Sequence, residues 1–204
     1  MRARIVIIAL AAAGLSGCIS LLPKSDPALL YRFDVEPAAS AAAPGARPVG
    51  VLKPPTRFTA AAGGDRLLTI TGDQAAYVKG ARWVTPASVL FDEAVANGFD
   101  GAAGPARLVT RGEVARADMV LRLEARSFET VYDNGQKAAP QVVIRIRAVL
   151  TRTTDRALVG EQIFEQIVRA GDNRQSAIVA AYDAGVANVV HDLVAWTNSA
   201  AAAK

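Results

Sequence analysis

Val142-Val143-Ile144-Arg145-Ile146-Arg147-Ala148-Val149-Leu150 is the stretch that decides the fold. Val142, Ile144, Ile146, Ala148 and Leu150 fall on one side. Val143, Arg145, Arg147 and Val149 fall on the other. That period of two belongs to a strand with one face buried and one face wet. Met119 to Arg126 repeats the pattern, with Met119, Leu121, Leu123 and Ala125 alternating with Val120, Arg122, Glu124 and Arg126. Asp133-Asn134-Gly135 between the two supplies turn chemistry, although the connection to Pro140 is longer than a two-residue hairpin loop. Leu158 to Arg169 reads as a third strand. Its two faces are similarly mixed, so its sequence does not say which is buried.

Two helices accompany these strands. The later one, from about Arg174 to Trp196, carries Ile178, Tyr182, Gly185, Val186, Val189, Leu193 and Trp196 at helical spacing. Asp172 suits its cap, with Gln175 three positions on. The earlier one begins at Thr85 as N-cap with Pro86 at the first helical position and Val84 stapling against Val89. Leu90, Phe91, Ala94 and Val95 give its buried side, and Asn97-Gly98 is expected to end it.

Shorter elements come first in the chain. Leu29 to Val35 alternates Leu29, Tyr31, Phe33 and Val35 onto one face. Val49 to Lys53 is an apolar run stopped by Pro54-Pro55. Leu67 to Thr71 and Ala75 to Lys79 flank the turn pair Gly72-Asp73 and suggest a hairpin. Lys79-Gly80-Ala81-Arg82-Trp83 then leads to the first helix. Strands, helix, strands, helix is an α/β order. The economical packing is a mixed, largely antiparallel sheet with two long helices against it, one compact domain over residues 29–196. Glu36 to Pro48 is Pro/Ala-rich and reads as a linker. Residues 197–204 read as a disordered tail.

The N-terminus points to export. Arg2 and Arg4 precede an apolar run from Ile5 to Leu15, too short for a membrane span, which needs roughly 20 residues. Leu15-Ser16-Gly17 leads into Cys18, the single cysteine of the chain, in an order resembling the lipobox of bacterial lipoproteins. That assigns residues 1–17 to a cleaved signal, Cys18 to lipidation, and residues 18–28 to a tether. Ile19 is not the aspartate that retains lipoproteins at the inner membrane of enteric bacteria. The expected address is therefore the periplasmic face of the outer membrane. With Cys18 acylated, no disulfide framework exists, and the core must hold the fold.

Charge and motifs narrow the function. The formal charge is +4, and loss of Arg2 and Arg4 with the signal brings it to about +2, with no basic run. This is not a nucleic-acid-binding balance. There is no G-x-S-x-G, no phosphate loop and no G-x-G-x-x-G. His191, the single histidine, lies off the apolar stripe of the last helix beside Asn188 and Asp192. No zinc set and no catalytic triad assembles around it. No enzyme and no cofactor is expected beyond the lipid on Cys18.

Tyr31 and Phe33, Tyr77-Val78-Lys79-Gly80-Ala81-Arg82-Trp83 leading to Pro86, and the Val179 to Ala184 helix ending near Trp196 together resemble the ABC-type transport auxiliary lipoprotein family. The resemblance implies an α/β domain related to the N-terminal domain of TolB. It also implies a non-enzymatic role in lipid traffic between membranes, beside an MCE-domain protein and its ABC permease and ATPase. A ring-like homo-oligomer would suit such a partner. Two functional classes compete: an adaptor docking the transporter at the outer membrane, and a carrier holding an acyl chain in its own pocket. The adaptor is favoured, because the apolar residues are already committed to one modest core.

Two surfaces are candidates for docking. Tyr77, Arg82 and Trp83 read either as packing beneath the helix start or as an exposed aromatic-plus-arginine anchor for a partner. Arg122, Arg126, Arg145 and Arg147 share the wet side of the long strands, with Arg126 near Arg147 if the strands pair. Either Glu124, Glu161 and Glu165 neutralise them, or the face receives an MCE partner.

Overall fold

The computed structural model describes residues 27–33, 48–109 and 116–203. Cys18, the signal, most of the tether and nearly all of the Pro/Ala-rich linker lie outside the described residues. In chain order the elements are β1 (Leu29–Tyr31), β2 (Val49–Leu52), β3 (Arg66–Thr71), β4 (Gln74–Trp83), α1 (Ala87–Asp100), β5 (Ala106–Val109), β6 (Met119–Val131), β7 (Gln141–Arg152), β8 (Leu158–Arg169) and α2 (Gln175–Ala202).

β6 is the pivot because it is too long for any single short neighbour. On one side β7 pairs with it antiparallel from end to end, and β8 pairs antiparallel beyond β7. On the other side its start lies parallel to β2, which carries β5. Its finish lies parallel to β3, which carries β4 and β1. Arg57 closes the gap between these two arms. Its N–H donates to the Leu123 carbonyl at 3.0 Å, and its carbonyl accepts from Ala125 N–H at 2.8 Å. The sheet is thus mixed, with its longest ladders antiparallel.

The alternation of β7 is borne out in full: Val142, Ile144, Ile146, Ala148 and Leu150 are all completely buried. β6 follows its pattern only as far as Ala125. A bulge there takes Arg126 out of the ladder and resets the phase, so Phe128 and Thr130 face inward next. Arg147 stands opposite Glu124, and Arg126 and Arg147 both lie near enough to Glu161 to stabilise its charge.

α1 and α2 lie side by side on one face of the sheet, α2 over β7 and β8. An aromatic cluster fills the layer where β4 meets them. Trp83 stands edge-on to Phe33 at 5.1 Å and to Tyr182 at 5.2 Å, and Phe128 touches Tyr182, Phe58 and Phe33. Tyr182 is fully buried with its hydroxyl 3.3 Å from Thr130 Oγ1. Burial raises its pKa far above the ordinary tyrosine range.

Several boundaries differ from the sequence reading. β1 ends at Tyr31, with Leu29 and Leu30 exposed, although Phe33 is buried as expected; Val35 lies outside the described residues. β4 does not stop at Lys79. Its register against β3 shifts between Leu68 and Arg66, with Gly80 at φ 71° in the shifted stretch, and the strand runs on to Trp83. α1 starts one residue late, with Pro86 extended at the cap position and no side-chain cap. Thr85 is not needed, because the carbonyls of Gly64 and Gly63 accept from the N–H groups of Ala87 and Ser88. Val84 and Val89 are both exposed.

Nor does Asn97-Gly98 end α1. Gly98 lies inside the helix, and a Cβ there would lie 2.4 Å from Val190 Cγ1 of α2, so its hydrogen side chain permits the helix–helix approach. Asp172 does not cap α2 in the expected register, but its carboxylate accepts from the Arg174 N–H at 2.7 Å. Gln175 instead donates to the Lys79 carbonyl and accepts from the Tyr31 hydroxyl. Finally, residues 197–202 are not a disordered tail. α2 continues to Ala202, with Thr197 and Ala201 buried, while Trp196, expected at full burial, is half-buried against Phe164 and Gly160. α2 is long and apolar enough to cross a membrane by composition alone, yet most of its apolar window is buried against the sheet.

Candidate functional site

The segment from Tyr77 to Trp83 splits in two. Strand alternation and the register shift send Ala81 and Trp83 inward and leave Lys79 and Arg82 outside. Trp83 is only 2% exposed, so it cannot grip a partner, and its expected docking role is corrected to a core role. Arg82 meets Asp65 at 2.6 Å, both side chains about half exposed. Tyr77 is half-buried with the Arg66 guanidinium stacked 3.8 Å above its ring. What remains accessible is a small cationic edge of Tyr77, Lys79 and Arg82.

Among the described residues, no helix lies over the open face of β6, β7 and β8. Two of its arginines, Arg145 and Arg147, are neutralised in the way the sequence allowed. Arg145 holds Glu165 at 2.6 Å, and Arg147 holds Glu161 at 2.7 Å. Glu124 is shared between Arg57 at 3.1 Å and Arg147 at 3.6 Å. The hydrogen bond from Arg147 keeps the Glu161 carboxyl below the usual carboxylate range. Glu129 on the same face goes the other way, raised chiefly by burial and only partly offset by Ser127 and Arg145. Arg122 makes no ion pair among the described residues.

Two open grooves flank the loop after β2. One, of about 450 Å³, lies between Pro54-Pro55 and the open face, with Arg57, Arg122, Glu124 and Arg147 in its wall. The other, of about 560 Å³, runs beside Lys53, Asp92 and Leu108. Lys53 and Asp92 are a structural clasp. The ammonium meets the carboxylate at 2.5 Å, and Asp92 also accepts from the Thr56 hydroxyl at 2.6 Å, pinning the loop to α1. Sequence reading missed this pair because its members are far apart in the chain and neither stands in a motif. Charged side chains in both walls suit polar surfaces better than an acyl chain.

His191 is exposed on α2. Among the described residues no three His, Cys, Asp or Glu side chains are grouped to hold a metal ion.

A family model described as the ABC-type transport auxiliary lipoprotein component matches residues 31–194. Among solved structures, the chain is similar to protein XCC0632 from Xanthomonas campestris, with 21% identity and a TM-score of 0.71 over 85% of this chain and 96% of that one. It is also similar to the hypothetical protein CT253 from Chlamydia trachomatis, with 10% identity and a TM-score of 0.54 over 77% of this chain and 99% of that one. At these identities the likeness is one of fold. Among curated proteins none matches the chain.

Proposed function

Because the chain belongs to the ABC-type transport auxiliary lipoprotein family, we propose that it is a non-enzymatic adaptor. In this reading it is anchored through lipid on Cys18 to the periplasmic face of the outer membrane. There it docks an MCE-domain protein served by an ABC permease and ATPase in lipid traffic between membranes. The observation that carries this reading is the family match across nearly the whole described domain. The filled sheet–helix layer supports adaptor over carrier. Val142, Ile144, Ile146, Leu150, Val186 and Leu193 are all fully buried against one another's layer, and the grooves outside it have charged walls. The Tyr77–Lys79–Arg82 edge is the proposed docking surface, without Trp83. The tether, at most about 3.6 Å per residue, keeps the domain within roughly 40 Å of the lipid, so the partner approaches from the periplasm.

Affinity purification of the full lipidated chain from membranes tests the reading. The MCE-domain protein and its ABC components should co-purify, and Arg82→Glu should remove them while leaving the melting temperature nearly unchanged. One bound phospholipid per chain with no such partner would make the protein a carrier instead. For the anchor, Cys18→Ala should leave an uncleaved precursor in the inner membrane; normal maturation of that variant would contradict it.

A further inference from the structure

β8 is the last strand on its side of the sheet: β7 pairs one edge, and no strand among the described residues pairs the other. Edge strands are usually kept short or protected by lysine, proline or a covering element. β8 has 12 residues, neither lysine nor proline, and leaves Leu158, Ile163 and Ile167 exposed by 63%, 47% and 56%. Its free backbone groups and these side chains form a template for another strand.

The pattern along β8 indicates which strand. Glu161, Ile163, Glu165, Ile167 and Arg169 share the open face, the same side as Arg145 and Arg147 of β7. A second copy laid antiparallel with Glu165 opposite Glu165 puts Ile163 opposite Ile167 and Glu161 opposite Arg169, each twice by symmetry. The two central carboxylates are each already held by their own Arg145 at 2.6 Å. Arg169 is oriented at the strand end by Asp133 of its own chain. Neighbouring even registers fail: one sets Ile163 against Glu165 and Glu161 against Ile167, and the other sets Glu165 against Ile167 and Ile163 against Arg169. Odd registers would put the helix layer of one copy beside the open face of the other.

We propose that β8 pairs with β8 of a second copy, antiparallel and centred on Glu165, joining two sheets into one. The contact is isologous and closes as a dimer. It does not depend on the transport reading.

Site-directed cross-linking of the full chain in native membranes tests the register, with the parent chain as the control for Cys18. Facing antiparallel residues have Cα atoms about 4.5–5.5 Å apart, within disulfide reach. Glu165→Cys should therefore give a disulfide band at twice the chain mass. Ile163→Cys should not, because its symmetry mates stand about 13 Å apart along the strands. The double variant Ile163→Cys, Ile167→Cys should link again. Adding Ile167→Lys to Glu165→Cys should cut the dimer at least tenfold. Failure of both the Glu165→Cys and the double variant to link overturns the proposal. So does a stronger link through Ile163→Cys alone, or a band at another mass, which would reveal a foreign strand on β8.

Discussion

β7 and β8 are adjacent, equally long and similarly rich in aliphatic residues, yet they live in different solvents. β7 has strands on both edges and α2 over one face, and its five inward side chains have no exposed area. β8 has one edge that no strand among the described residues pairs, and of its large side chains only Phe164 is buried. The same residue types therefore do different jobs. On β7 they hold the fold, and on β8 they remain available for association.

Alanine substitutions across this boundary should give the largest contrast. Ile146 and Ile163 sit on neighbouring strands, with Ile146 opposite Phe164 and Ile163 opposite Arg147. Ile146→Ala should destabilise by about 2–5 kcal/mol through the cavity it leaves. Ile163→Ala, measured at dilution, should stay within about 0.5 kcal/mol. Urea midpoints at equal slope check both. Equal losses would mean that the edge strand is covered after all.

Removing the chain after Trp196 is the next test. It deletes Thr197, buried with its hydroxyl on the Leu193 carbonyl, and Ala201. A loss of about 1–3 kcal/mol is expected, in the range for small buried groups and a lost hydrogen bond. Unchanged thermal unfolding would return this end to the tail that the sequence suggested.

A smaller effect is expected in alkali. Tyr182 keeps its proton in the native protein at pH values where the unfolded chain gives it up. A raised native pKa contributes stability that is complete below the unfolded value of about 10 and is lost as pH rises beyond it. The melting temperature should therefore fall from about pH 10 upward, and Tyr182→Phe should flatten that fall. Parallel profiles for the two proteins would assign the alkaline loss to other groups.

The same contrast explains what the sequence disclosed. β7 and the first half of β6 were legible because one face meets helices and the other water, so polarity alternates. β8 was not legible, since neither of its faces is uniformly dry. The helix limits escape the sequence for a related reason. It offers side-chain caps, whereas the N–H groups of Ala87 and Ser88 are satisfied by the loop carbonyls of Gly64 and Gly63. Gly98 resembles a helix stop but is a packing contact with Val190. The Ala-rich stretch after Trp196 has low complexity, yet small side chains suit a helix end packed close to its neighbours. In the candidate site, Arg82 and Tyr77 kept accessible surface as one reading required. Trp83 did not, because an aromatic residue before a helix serves the core and an interface equally well until its side is known.

Hydrogen exchange of the full lipidated chain, followed strand by strand at several protein concentrations, tests most directly whether stability and association are divided between β7 and β8. β7 amides should exchange only with global unfolding, at a rate independent of concentration. The outward amides of β8 should be protected at high concentration and lose that protection on dilution. Protection of β8 that is as strong as that of β7 and indifferent to dilution would contradict the division.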